Sequence, residues 1–375
     1  MRLDGLKTPC AMVDLPVLRR NCAAMSGRAA RLGVALRPHV KTHKCVEIAR
    51  LQHGGAVGPV TVSTMAEART FAAAGFTDIT YAVPVPFDAI PEAMDLLEGG
   101  TRLNLLLDSE EALRRLESAG AARGLRLPAL LKVDCGYHRA GVDPGREESV
   151  ALASKVAASR HLEFLGILTH SGQAYGCRNP GEALGAAEHE RAVMVRFAEK
   201  LRAEGVGVPE VSVGSTPACC AAERYDGVTE IRPGNYAFFD AFQVDIGTCS
   251  HRDALAFTVL ATVISHHAGR GELLVNAGAL ALSKDPGAVH VDPHCGFGTV
   301  CTLSGRPVPG LRLKALSQEH GEVAGADPGA LGELPVGSRV RIVPNHSCLA
   351  AACFDRYHVA EEGEVVEEWR PARGW

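Results

Sequence analysis

The chain has 375 residues, 46% of them hydrophobic, and a net charge of -4. That length accommodates two domains, or one large α/β barrel with a smaller partner. Acidic and basic residues are interspersed, leaving no basic face for nucleic acid and no polybasic strip for membrane lipid; small-molecule chemistry is the expectation. No apolar window reaches the length of a signal peptide core or a membrane span, so the cytoplasm is the expected location. The 12 cysteines are scattered without a CxxC pair, which argues for small buried thiols rather than a disulfide framework.

The first strand-like segment, Cys10 to Val13, ends at Asp14, a good cap for a helix over Pro16 to Leu32. A short apolar run ending at Leu36 follows and delivers RPHVKTHK, Arg37 to Lys44. Arg37, His39, His43 and Lys44 surround Lys41 in sequence. Positive neighbours and partial burial disfavour an ammonium ion and free an amine that attacks aldehydes. Without further support the same segment reads as a solvated basic loop.

A helix over Cys45 to Gln52 precedes strand-like runs at Val60 to Val62, Asp78 to Tyr81, Leu103 to Leu107, Ala129 to Val133, Leu162 to Thr169, Glu210 to Val213 and Thr229 to Ile231. Pro84, Pro86 and Pro91 force the helix after Tyr81 to begin late. Eight short, continuously apolar strands alternating with helices predict a (β/α)8 barrel over residues 15–242. Beyond Phe242 the runs Leu255 to Ile264, Glu272 to Asn276, Leu311 to Leu316 and Ser338 to Val343 predict a mostly β domain. It spans residues 243–375, joined by residues 1–14.

Barrel enzymes work at the C-terminal ends of their strands, with phosphate commonly held after strands seven and eight. Gly214, Ser215, Thr216 and Pro217 follow the seventh strand, and Arg232, Pro233, Gly234, Asn235 and Tyr236 the eighth. Glycines admit close backbone approach, hydroxyls donate, and Pro217 suits the first turn of a helix whose N-terminus attracts an anion. A reactive lysine and a phosphate cradle together point to pyridoxal 5'-phosphate, which carries an aldehyde at one end and a phosphate at the other.

The chain resembles the fold type III pyridoxal phosphate enzymes of the D-serine dehydratase and D-threonine aldolase family, which share the alanine racemase barrel. The resemblance rests on TPCAMVDL (Thr8 to Leu15), RPHVKTHK, VDCGYHRAG (Val133 to Gly141), THSGQAY (Thr169 to Tyr175), VGSTP (Val213 to Pro217), RPGNY (Arg232 to Tyr236) and PNHSC (Pro344 to Cys348). It implies that Lys41 forms the Schiff base, that Arg139 holds the ring oxygen and that Tyr175 lies beside the pyridine ring. Ser215, Thr216 and the backbone of Gly234 and Asn235 would bind phosphate. His346 and Cys348, two apart and on one side if extended, offer nitrogen and sulfur to a divalent metal. The resemblance makes that metal a cation beside the cofactor, zinc first, with manganese or magnesium as alternatives. His320 is a further family-like residue without an assigned role.

What the resemblance implies is a lyase acting on β-hydroxy D-amino acids, D-serine dehydratase first. Lys41 takes the α proton and the metal assists departure of the β-hydroxyl, giving a 2-oxo acid and ammonia. D-threonine aldolase and D-threo-3-hydroxyaspartate dehydratase are the near alternatives; Cys348, where the aldolase branch has Asp, favours dehydration. From other classes stand a metal-dependent hydrolase using His39 and His43, and a non-catalytic pyridoxal phosphate carrier lacking a second domain. A homodimer is expected.

Overall fold

A computed structural model of the chain describes residues 2–249, 252–325 and 331–375. Within the domain expected over residues 1–14 and 243–375, positions 1, 250, 251 and 326–330 lie outside the described residues. After β1 (Cys10–Asp14) a helix over Leu15–Arg31 starts where Asp14 Oδ1 accepts the Val17 N–H at 3.1 Å. This is the N-cap read from the sequence.

The strands β2 (Ala35–Leu36), β3 (Val60–Val62), β4 (Asp78–Pro84) and β5 (Arg102–Leu107) are followed by β6 (Leu127–Lys132), β7 (Leu162–Leu168), β8 (Glu210–Val213) and β9 (Glu230–Ile231). They form one parallel sheet in the order β2-β9-β8-β7-β6-β5-β4-β3. A parallel bridge between His39 and Thr61 brings the two ends together, and the Thr61 N–H donates to Pro38 O at 2.9 Å. The result is the eight-stranded barrel expected. Leu106, Leu130, Leu165 and Leu168 pack as one buried cluster, consistent with strands covered on both faces. Proline postpones the helix after β4 to Ile90–Glu98, as read.

The other strands are β10 (Phe257–His267), β11 (Glu272–Val275), β12 (Gly298–Cys301), β13 (Pro307–Leu316), β14 (Gly321–Gly325), β15 (Arg339–Pro344), β16 (Tyr357–Glu361) and β17 (Glu364–Trp369). Their sheet runs β11-β14-β13-β12-β15-β10-β1-β16-β17, and an additional β11–β10 pairing closes six of them into an antiparallel ring. The N-terminal strand joins this sheet, antiparallel to β10 and parallel to β16. Phe238, Phe257 and Tyr357 pack as one aromatic cluster, with Phe238 and Phe257 centroids 5.1 Å apart and Tyr357 edge-on to both.

The chain forms two compact units, residues 1–23 with 235–371 and residues 24–234 with 372–375. The division expected at residues 15 and 242 therefore shifts into the first helix and to the Gly234–Asn235 bond. The reason lies in the helix itself. Asn21 Nδ2 donates to Ala237 O and Ala254 O in the first unit, whereas Arg28 Nε donates to Cys219 O in the barrel.

Candidate functional site

Lys41 lies in a single 3-10 turn, Val40–Thr42, immediately after the His39 bridge. Three of the four residues that flank it in sequence are engaged with other partners. Arg37 is buried against Glu230 at 2.6 Å and Asp78 at 2.7 Å, and Lys44 pairs with buried Glu67 at 2.9 Å. His43 accepts the Cys45 N–H on Nδ1 and meets Gln52 Oε1 through Nε2. Burial, opposed by those hydrogen bonds, lowers its pKa to about 3, so it is neutral. Each neighbour is discharged or paired, which nails the turn in place.

Cations reach the lysine's surroundings from elsewhere in the barrel. Burial, Lys41, Arg232 and His170 push the His39 pKa far down, while burial, Lys41, Lys132 and Arg139 do the same to His170. Four cationic side chains thus surround two neutral imidazoles. Lys132, the last residue of β6, is itself buried and is lowered to about 7 by burial, Arg232 and Arg139. It is a weakly basic amine that the motifs of the sequence do not single out.

Arg139 sits on a loop closed at its base by the Val133–Val142 bridge. Asp134 anchors that loop by accepting the N–H groups of Gly136 and His138 at 2.9 and 3.0 Å. The Arg139 guanidinium lies 5.3 Å from the Tyr137 ring centre, and Tyr137 meets His170 edge-on. Lys132, Tyr137, Arg139 and His170 line one small cleft. Tyr175, on the 3-10 turn Gly172–Gly176, packs beside His170 with centroids 6.5 Å apart. The structure therefore brings the surroundings of Lys41, Arg139 and Tyr175 together around His170, a residue inside THSGQAY that had received no role.

In the loop after β8, Ser215 Oγ caps the helix Thr216–Ala221 through the Ala218 N–H and lies 3.2 Å from Ser171 Oγ. That helix has only six residues, so its contribution to anion attraction is smaller than the sequence implied. A carboxylate organises the loop. Buried Glu190 accepts the N–H groups of Ser171 and Gly214 at 3.0 and 2.9 Å and the Ser171 hydroxyl at 2.9 Å. A Cβ on Gly234 would stand 2.7 Å from His39 O, so only glycine lets the two rim segments approach. His39 Nδ1 and Arg232 Nε are buried without a hydrogen-bond partner. A cationic rim with orphaned polar nitrogens and a backbone cradle fits a phosphorylated aldehyde.

The predicted metal ligands lie in the other unit, but not on an extended strand. β15 stops at Pro344, His346 is the N-cap of the helix Ser347–Ala352, and Cys348 stands in that helix's first turn. The side chains still converge. Burial opposes a charged His346, yet the Cys348 sulfur and the Asp285 carboxylate, both hydrogen-bonded to it, raise its pKa to about 11. An imidazole, a cysteine sulfur and a nearby carboxylate form a borderline-soft donor set of the kind zinc takes. Asp240 braces the turn by accepting the Ser347 N–H at 2.9 Å and the Asn235 amide at 2.7 Å. Asn235 Nδ2 also reaches Ser347 Oγ at 2.9 Å, so its side chain is committed to this corner. No group of three or more His, Cys, Asp and Glu side chains among the described residues is arranged to hold a metal. A two-ligand site would leave positions open for substrate and water. His320 lies exposed in the turn between β13 and β14.

The hydrolase alternative required His39 and His43 as ligands; with both His43 ring nitrogens engaged, the pair is not available. No helix of the described residues is long and apolar enough to cross a membrane.

Comparison with known proteins agrees with this geometry. The alanine racemase N-terminal domain family matches residues 13–241, and the serine dehydratase domain family matches residues 256–360. The D-threo-3-hydroxyaspartate dehydratase of Delftia sp. (strain HT23) is 41% identical over 99% of this chain and 98% of its own. The D-serine dehydratase of Dictyostelium discoideum is 36% identical over 100% of this chain and 98% of its own. A cysteine-to-alanine mutant of a D-threo-3-hydroxyaspartate dehydratase, solved in the metal-free form, superposes with a TM-score of 0.96. It is 40% identical, and the match covers 100% of each chain. Among relatives of lower identity is a D-threonine aldolase from Arthrobacter sp., at 29% over 100% of this chain and 94% of its own. These dehydratases and aldolases are pyridoxal phosphate-dependent lyases of D-amino acids, and the serine dehydratase domain behind the barrel excludes the single-domain carrier. The chain belongs to the family that joins an alanine racemase-type barrel to a serine dehydratase domain, a family of pyridoxal phosphate-dependent lyases.

Proposed function

We propose that this chain is a metal-assisted dehydratase of β-hydroxy D-amino acids, with D-serine and D-threo-3-hydroxyaspartate as the first substrates to test. The observation that carries dehydration over aldol cleavage is the Cys348 sulfur hydrogen-bonded to the His346 imidazole. A soft sulfur ligand favours a zinc-type Lewis acid aimed at a leaving hydroxyl. The 41% identity to a D-threo-3-hydroxyaspartate dehydratase supports that substrate alongside D-serine.

In this reading the barrel unit binds the cofactor, and the β unit that includes the N-terminal strand carries the metal ligands. Lys41 is the lysine that bonds the cofactor aldehyde, and its Nζ takes the α proton of the substrate once released. Arg139 holds the ring oxygen from its anchored loop, and Tyr175 borders the ring together with His170. Ser215, Thr216, Gly234 and the backbone of Asn235 hold the phosphate, with Glu190 fixing the loop from behind. Bound pyridoxal phosphate supplies an electron sink for the carbanion at the α carbon. A divalent cation on His346 and Cys348 supplies Lewis acidity to the β-hydroxyl. Water leaves and is taken up again in hydrolysis, so the net products are a 2-oxo acid and ammonia. We place the enzyme in the cytoplasm as a homodimer.

The test is product analysis with D-serine, D-threo-3-hydroxyaspartate and D-threonine, each with its L form as control. Stoichiometric 2-oxo acid and ammonia from a D substrate, lost on chelation, is the expected result. Glycine and an aldehyde released without ammonia would replace the dehydratase reading with the aldolase one.

A further inference from the structure

We infer that Asp285 is a positioning residue for the metal, fixing which nitrogen of His346 faces the cation; this rests on the proposed metal role of His346 and Cys348. An imidazole can bind a cation through either nitrogen, and the hydrogen bond made by the other nitrogen decides between them. Here His346 Nδ1 lies 3.0 Å from Asp285 Oδ2. A carboxylate only accepts, so Nδ1 carries the proton and Nε2 is the nitrogen left to ligate.

The carboxylate is built in rather than draped across the surface. Its other oxygen accepts the Gly287 N–H at 2.9 Å, and the Asp285 N–H donates to Ser283 Oγ at 3.3 Å. Asn345, the residue before His346, closes the clamp by donating from Nδ2 to Asp285 O at 3.0 Å and Gly296 O at 2.7 Å. The imidazole and the carboxylate are thus tied together twice, through their side chains and through the neighbouring amide. Gly287 has φ of +72°, and a Cβ there would stand 2.7 Å from Asn345 Nδ2, so the turn carrying Asp285 admits glycine alone. Asp240 holds the backbone of Ser347 on the far side of His346. One aspartate therefore fixes the ring and another fixes the turn that brings Cys348 beside it.

An ordinary aspartate–histidine ion pair would steady this loop without choosing a ring nitrogen, and metal binding separates the two cases. The full-length holoenzyme, stripped of metal with a chelator, is titrated with Co²⁺ while the sulfur-to-cobalt charge-transfer band is followed. Wild type takes up one Co²⁺ per chain, and D285A weakens binding about 10- to 100-fold, the usual effect of losing a ligand's carboxylate partner. D285N falls between them, because its amide oxygen still accepts from Nδ1–H without the charge. Equal Co²⁺ affinity in wild type and D285A would overturn the role of Asp285 and leave the metal site standing. No Co²⁺ uptake by wild type would instead overturn the metal site and the positioning role with it. Should D285A fail to fold, imidazole ¹⁵N spectra of Zn²⁺-loaded wild type decide: a protonated Nδ1 with metal-bound Nε2 is expected, and the reverse would refute the inference.

Discussion

The barrel rim and the His346 corner use the same side chain in opposite charge states. At the rim, His39 and His170 are driven neutral by burial and by Lys41, Lys132, Arg139 and Arg232. At the corner, Cys348, Asp285 and Asp240 keep His346 protonated against the pull of burial. The first potential suits an anion and the second a cation. Histidine reports the sign of each potential because its ordinary pKa lies between the two extremes.

The contrast breaks most sharply at Lys41. Replacing it by Ala should lower turnover by about 10⁴-fold or more, the scale of losing a covalent catalytic group. Borohydride should trap pyridoxyl on the Lys41 peptide of wild type and nowhere in K41A. An adduct on Lys132, whose amine is lowered to about 7, would move the catalytic role to that strand end. At the corner, H346A or C348A should cost about 10²- to 10³-fold in D-serine turnover by removing a Lewis acid worth several kcal/mol. The visible absorbance of the cofactor should remain, so a parallel loss of both would erase the distinction between rim and corner.

Smaller effects sharpen it. E190A strands the N–H groups of Ser171 and Gly214 in the interior. It should cost about 3 kcal/mol in urea unfolding and weaken pyridoxal phosphate binding. E190Q should be nearly neutral, since one oxygen serves both N–H groups. Equal losses in the two would show that the charge of Glu190 matters more than its hydrogen bonds. His43 supplies the smallest effect, through pH. Its folded pKa of about 3 lies below an unfolded value near 6.5, so the unfolded chain binds the proton more tightly. Stability from this group is complete above pH 6.5 and is lost as pH falls toward 3, by about 1.4 kcal/mol at pH 5.5. Urea midpoints of the cofactor-free protein at pH 7.5 and 5.5 measure it, and a flat response would mean that His43 is not held neutral.

The barrel was legible because parallel strands buried on both faces appear as uninterrupted apolar runs. The ring of the other unit was less so. The Gly298–Cys301 strand has four residues, and the Tyr357–Glu361 and Glu364–Trp369 hairpin turns glutamates outward, so both resemble loops. At the site, residues carried by local motifs were visible, whereas their supports were not. Glu190 reaches Gly214 across 24 positions and Asp285 reaches His346 across 61, separations at which spacing carries no information. The flanking charges of RPHVKTHK misled for the same reason: their partners, Asp78, Glu230 and Glu67, are distant in sequence. The HxC spacing suggests an extended pair, whereas a helix N-terminus brings the two side chains together.

The membership of β1 in the sheet of the β unit, between β10 and β16, makes the barrel topologically an insertion within the β domain rather than a module placed ahead of it. A fragment cut after the barrel would carry a strand stripped of both neighbours, and such unpaired edges invite aggregation. Recombination that aims to exchange the catalytic barrel between relatives must therefore cut twice, inside the first helix and at Gly234, and return the N-terminal strand with the domain it belongs to.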